Sequence, residues 1–342
     1  SLFVRHIRSR SLQRVCMGKF CGCHDDSGDS DSEEPSSGMM DSEHEDSRGL
    51  AGFQPDFMGR VENRRREQLA LYSWALSGTE RGIAVLFHGY GSSARFPTCC
   101  WLAEALVRIG VRCYGADMVG HGESEGTSGL LPSVQGLAED GLDVVRHVRV
   151  LHPNSPIFLC GTSMGGAIAL SVGLLADFPL GGAVLLSPMV KQNKANLPHP
   201  AVIAVLRGLS MVVPSLAAIK SNASQAELQY TDPVRREQCA RAPQYEGKMR
   251  LGTAATLLGM TEVLEQRFEE ITFPFWVAVG GREVVVDPDG PEELFHRAGT
   301  EREDKVFKKY PTAQHALLAE PSPFREEIEE DICAWLSGRL PP

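Results

Sequence analysis

A serine set between glycines, Gly161-Thr162-Ser163-Met164-Gly165, is the first arrangement in this sequence with an evident chemistry. Pro156-Ile157-Phe158-Leu159-Cys160 runs into it as a short apolar strand, and Gly166-Ala167-Ile168-Ala169-Leu170 runs out of it as a helix. A turn that sharp holds the serine in strained backbone geometry, and the flanking glycines remove side chains that would clash. The helix N-terminus favours negative charge developing at the same point. Ser163 is therefore the candidate nucleophile. The same spacing at Gly122-Glu123-Ser124-Glu125-Gly126 lacks this setting, because more Gly, Ser and Thr follow and no helix starts there.

A nucleophilic serine needs a base, an orienting acid and donors for the oxyanion. Leu86-Phe87-His88-Gly89-Tyr90-Gly91 ends an apolar strand in a glycine-rich loop, and the Tyr90 amide is expected to pair with the Met164 amide as the oxyanion hole. Among ten histidines, His315 lies in a loop between the last strand and the final helix. That is the base's place in the chain order serine, acid, histidine. His88 and His121 are expected to shape loops instead. The acid belongs on the loop after strand 275–280, where Glu283 and Asp287 compete in Gly280-Gly281-Arg282-Glu283-Val284-Val285-Val286-Asp287-Pro288. Glu283, nearer the strand end, is preferred; Asp287 stays open, and the unused carboxylate is expected to serve a turn or cap.

The elements that must carry these residues read as short apolar strands alternating with helices. Order is expected from about residue 69, with Gln68–Trp74 as an outer strand. Strand 83–87 leads to helix 96–109, strand 112–116 to helix 133–151, and strand 156–160 to helix 164–176. After strand 183–187 the pattern changes, then resumes with strand 275–280, helix 290–299, strand 305–310 and helix 323–338. This alternation predicts a mostly parallel central sheet with helices on both faces, whose ligands bind at the strands' carboxyl ends.

Composition narrows the function. The chain has 342 residues and 44 acidic against 34 basic side chains, a formal net charge of −10. Reading nucleic acid requires a basic face, so no nucleic-acid partner is expected. No run of 18 apolar residues predicts a spanning helix. Nine cysteines, odd in number and irregular in spacing, predict neither a disulfide framework nor a metal site and point to a reducing compartment, the cytoplasm. Residues 1–24 hold five bases and no acid; residues 25–46 hold ten acids and no base. Residues 1–50 are accordingly expected to be a disordered tail, basic then acidic and Ser-rich. Its basic start reads as an unmodified disordered tail, as an organelle presequence or, from Met17-Gly18-Lys19-Phe20-Cys21-Gly22-Cys23, as a myristoylated and palmitoylated anchor.

From about residue 69 to 338 the chain resembles the monoacylglycerol lipase family of α/β-hydrolases, most of all its plant branch, which includes caffeoylshikimate esterases. The matching stretches are His88-Gly89-Tyr90-Gly91, Asp117 through Gly126, Gly161 through Ala169, Ser187-Pro188-Met189, Thr231-Asp232-Pro233, 280–288 and His315-Ala316-Leu317-Leu318. The resemblance implies an α/β-hydrolase core over 69–189 and 261–340 and a helical cap insertion over 190–260. It implies Ser163 as nucleophile, His315 as base, Tyr90 and Met164 as oxyanion donors, and no cofactor. The family's acid is an aspartate where this chain has Glu283, a departure that keeps Asp287 in play. The implied substrate is a small-molecule lipid ester, monoacylglycerol first, then a lysophospholipid or a phenolic ester. The apolar cap offers peripheral contact with a membrane. A hydrolase-fold protein that only binds a lipid or a partner is the alternative of another class.

Overall fold

The computed structural model describes residues 53–76, 78–193, 197–219 and 226–342. The readings of the basic and acidic N-terminal stretches lie outside the described residues. Eight strands form one sheet: β1 (Asp56–Glu62), β2 (Gln68–Trp74), β3 (Gly82–Phe87), β4 (Val111–Ala116), β5 (Ile157–Thr162), β6 (Gly182–Leu186), β9 (Phe275–Gly280) and β10 (Lys305–Tyr310). Their order is β1-β2-β4-β3-β5-β6-β9-β10. The β1–β2 and β2–β4 pairs are antiparallel and all the others parallel.

The central strands are apolar throughout because both faces are covered. Along β5, Ile157 and Leu159 face one core while Phe158 and Cys160 face the other. Phe275 and Val277 alternate in the same way with Trp276 and Ala278 on β9. Helices α2 (Val134–Leu151) and α3 (Met164–Leu175) pack on the first face, α1 (Pro97–Val107) and α8 (Phe324–Ser337) on the second. Each fully buried Leu, Ile or Phe contributes roughly 1.5–3 kcal/mol, so the sheet is a stiff platform. Cys113 and Cys160 are buried free thiols in the second core.

Two expectations need correction. The sheet starts before residue 69, because β1 pairs along the outer edge of β2. This edge strand is mostly exposed and broken by a register shift near Gly59, which removes the alternating apolar signal of a strand. Second, the boundary at residue 260 falls inside a continuous helix, α6 (Leu251–Gln266). That helix belongs to both regions: Met260 and Leu264 enter the first core, and Thr253 Oγ1 bonds Gly129 O and Leu131 N.

Between β6 and β9 the chain leaves the sheet for α4 (Pro200–Val212), a small antiparallel pair of β7 (Ala217–Ile219) and β8 (Met249–Arg250), and α5 (Pro233–Arg241). The last ladder partners of the parallel strands lie side by side: Phe87 with Gly161, Thr162 with Leu186, and Gly280 with Tyr310. The loops leaving β3, β5, β9 and β10 therefore meet at one edge, and they carry Tyr90, Ser163, Glu283 and His315. Helix α7 (Gly290–Arg297) follows the Glu283 loop.

Candidate active site

Ser163 sits between β5 and α3 at φ 56° and ψ −119°, left-handed territory that a serine seldom enters. Close approach of the neighbouring backbone explains the glycines around it. A Cβ on Gly161 would lie 2.2 Å from Gly165 O, and one on Gly165 would lie 1.9 Å from Phe87 O. The turn is tied down by Ser163 N–H donating to Leu186 O at 3.0 Å and by Met189 N–H donating to Ser163 O at 3.0 Å. Strain of this kind persists only where the surroundings over-determine it.

Met164 is the first residue of α3, so its N–H has no acceptor within the helix. Across from it, the loop after β3 passes close to the serine: a Cβ on Gly89 would be 3.7 Å from Ser163 Cβ. His88 shapes that loop. Its Nε2 accepts from Met118 N–H at 3.0 Å, which leaves Nδ1 to donate to Gly89 O at 2.8 Å. Full burial pushes its pKa down to about 4, so it stays neutral. His121 is held at about 3, mainly by burial, and its Nδ1 lies 3.1 Å from Val119 O. Asp117, which was not singled out in the sequence, fastens two loops by accepting from Ala94 N–H at 2.7 Å and Glu123 N–H at 2.8 Å. Only its place at a strand end signalled it.

The structure brings Glu283, and not Asp287, to His315. Glu283 Oε2 lies 2.7 Å from His315 Nδ1, both side chains being almost wholly buried. The other oxygen, Oε1, accepts from Val285 N–H at 2.7 Å and Val286 N–H at 3.1 Å. Burial alone would raise the Glu283 pKa. The His315 ring and these two amides outweigh it and hold the carboxyl below the ordinary glutamate range. With Nδ1 engaged, Nε2 is the ring nitrogen left to move a proton. Asp287 instead accepts from Asp289 N–H at 3.0 Å and Gly290 N–H at 3.1 Å, where it starts α7. The two amides that turn the Glu283 side chain were not foreseen, since they depend on how the 283–286 turn closes.

Ser163 opens onto two cavities. One, of about 450 Å3, is walled by Met189, Ile203, Leu206, Leu251, Leu257 and Leu258. The other, of about 420 Å3, holds His315 and polar groups including Gln229, Tyr230, Gln244, Tyr245 and Glu246. A further cavity of about 540 Å3, with Arg95, Glu123 and Arg241 on its walls, does not reach Ser163. Among the described residues no group of three or more His, Cys, Asp or Glu is arranged to hold a metal ion.

The chain has relatives of known fold and name. Residues 78–322 match the family model Hydrolase_4, described as serine aminopeptidase, S33. The chain belongs to that family. Monoglyceride lipase from Rattus norvegicus is 27% identical over 275 residues, covering 78% of this chain and 86% of the relative. Caffeoylshikimate esterase from Arabidopsis thaliana is 29% identical over 281 residues, covering 78% and 80%. A solved structure of a monoglyceride lipase variant from Saccharomyces cerevisiae superposes with a TM-score of 0.73 at 18% identity, covering 84% of this chain and 97% of that one. The chain is thus a serine ester hydrolase of the monoglyceride lipase type with an α/β-hydrolase fold.

Proposed function

We propose that the chain hydrolyses carboxylic esters of single-chain lipids, monoacylglycerol foremost, through an acyl-enzyme at Ser163. The observation that carries this reading is the placing of Ser163 between an apolar cavity suited to an acyl chain and a second cavity of mixed lining whose polar groups suit an alcohol. His315 Nε2 takes the Ser163 proton as Oγ attacks the ester carbonyl, with Glu283 stabilising the imidazolium. The Tyr90 and Met164 amides hold the oxyanion. The tetrahedral intermediate collapses, and the alcohol leaves with the proton from His315. Water, deprotonated by the same nitrogen, then attacks the acyl ester and releases the acid and Ser163. The names of the rat and Arabidopsis relatives support lipid and phenolic esters as the classes to compare.

The inserted segment acts, in this reading, as a cap that meets lipid. No residue of α4 is buried, and its Val202, Val205, Leu209, Met211 and Val212 are exposed while Ile203 and Leu206 line the apolar cavity. Such a face suits the surface of a membrane. Among the described residues no helix is long and apolar enough to cross one. The test is fatty-acid release from a monoacylglycerol by the full chain, with Ser163→Ala as control. Serine-dependent release is the expected result. Labelling of Ser163 by a fluorophosphonate without release would overturn the monoacylglycerol assignment and leave lysophospholipids and phenolic esters to be compared.

A further inference from the structure

Glu320 is a buried carboxylate to which neither the sequence motifs nor the mechanism assigns a task. It is 1% exposed, and its Oε1 accepts two hydrogen bonds: from Gln314 N–H at 2.8 Å and from the Thr231 hydroxyl at 2.7 Å. Gln314 immediately precedes His315, whereas Thr231 lies in the inserted segment just ahead of α5. One oxygen atom therefore joins the backbone of the histidine loop to the cap.

The neighbouring bonds make the same connection. Ala316 N–H donates to Gln229 O at 2.9 Å, and Asp232 N–H donates to Ala319 O at 3.2 Å. Arg235, on α5, donates to Leu318 O at 2.7 Å while its guanidinium lies 4.1 Å from the Trp101 ring centre. Residues 229–235 and 314–320 are thus laced together, with Glu320 as the side-chain acceptor in the seam. On its other flank the loop rests on β9: Arg282 N–H donates to Ala313 O at 2.9 Å, and a Cβ on Gly280 would meet Ala313 O at 2.3 Å. Glu283 fixes the imidazole ring. On the side facing the inserted segment, Glu320 is the side-chain acceptor that holds the main chain next to the ring, alongside the Ala316–Gln229 bond.

We propose that Glu320 is a positioning residue for His315, and that through Thr231 it makes the placement of the histidine depend on the seating of the cap. This rests on His315 acting as the base for Ser163. A buried amide left without its acceptor bears the full cost of its desolvation, so the bond from Gln314 N–H to Glu320 is a firm hold on the loop. A displacement of about 1 Å at a catalytic group costs up to about 100-fold in rate. The coupling places binding and turnover in different hands: Glu320 lines neither cavity at Ser163 and bonds only to the histidine loop and to Thr231.

The experiment compares Glu320→Ala, Glu320→Gln and Thr231→Val with wild type in the full chain, measuring kcat and KM on a monoacylglycerol per fluorophosphonate-titrated site. Glu320→Ala is expected to lower kcat by about 30-fold and slow fluorophosphonate labelling in parallel, with KM within about 3-fold. Glu320→Gln, which keeps an acceptor oxygen, should recover most of that loss, and Thr231→Val should lower kcat by about 3-fold. Wild-type kcat per titrated site in both Glu320→Gln and Thr231→Val overturns the proposal, whether or not Glu320→Ala folds. Equal losses of kcat per titrated site in Glu320→Gln and Glu320→Ala also overturn it. Turnover that survives Ser163→Ala or His315→Ala would sink the catalytic reading itself, a different failure from any of these.

Discussion

Helices α3 and α4 are close in length and both rich in apolar residues, yet they live in opposite surroundings. The first nine residues of α3, Met164 through Val172, are all buried between the sheet and α2. In α4, residues Pro200–Val212, none is. Apolar composition alone therefore does not decide burial; it only makes burial favourable if something covers the helix. The sheet covers α3, because the register of β5 and β6 brings the chain straight back onto it. One side of α4 faces the cavity, and nothing among the described residues covers its outer face. The contrast separates two tasks: one region holds the serine rigidly, and the other presents an apolar surface and shapes the cavity behind it.

The contrast is most severely tested at the rigid end. Glu283→Gln is expected to lower kcat by about 1,000-fold or more, because the imidazolium loses its buried countercharge, whereas Asp287→Asn should leave kcat within about 2-fold. The reverse pattern, read in steady-state assays, would move the acid to Asp287. Stability should divide the helices in the same manner. Leu170→Ala in α3 should cost about 2–5 kcal/mol in denaturant unfolding, and Val205→Ser in α4 less than about 0.5 kcal/mol. Comparable losses at both would mean that α4 is covered in solution.

The loops beneath the site add a dependence on pH. His88 and His121 have pKa values depressed below the unfolded value of about 6.5, so the stability they contribute is present above pH 6.5 and lost as the pH falls toward 4. Asp140 works in the other direction: burial raises its pKa to about 6, so its contribution is present at low pH and lost as the pH rises through 6. Two histidines outweigh one aspartate, and unfolding free energy should fall by about 2–3 kcal/mol from pH 6.5 to pH 5. A flat profile would show that the loops open before the histidines must charge. The smallest effect belongs to the outer face of α4. Met211→Ser should lower turnover of monoacylglycerol presented in vesicles by about 3-fold and leave a soluble short-chain ester unaffected.

Much of the site was legible because its parts are local. The elbow around Ser163 needs a strand, a tight turn and a helix within fifteen residues, and Gly161 and Gly165 follow from backbone contacts only a few residues away. His315 could be placed because chain order constrains it to the loop after the last strand. Glu283 and Asp287 could not be separated by spacing, since they share one loop and differ by four residues. What separates them is the amides that each accepts from: Val285 and Val286 turn Glu283 toward the imidazole, while Asp289 and Gly290 keep Asp287 at the start of α7. The edge strand β1 escaped notice because it is mostly exposed and its register shifts near Gly59, so the alternation of a half-buried strand is lost. The continuous helix over residues 251–266 was divided because its apolar faces serve two regions at once.

Sequence by itself determined the alternation of strand and helix, the serine's strained turn and the order in which the reacting groups occur along the chain. Those features depend on contacts within a few residues or on a two-residue period of burial, and both are written in residue type. Tertiary structure decided which carboxylate meets His315, which apolar helix is covered, and that Glu320 joins the histidine loop to Thr231 in the inserted segment. The first and the last of these are meetings of segments 32 and 89 residues apart, where chain spacing carries no information and a few hydrogen bonds select the partner.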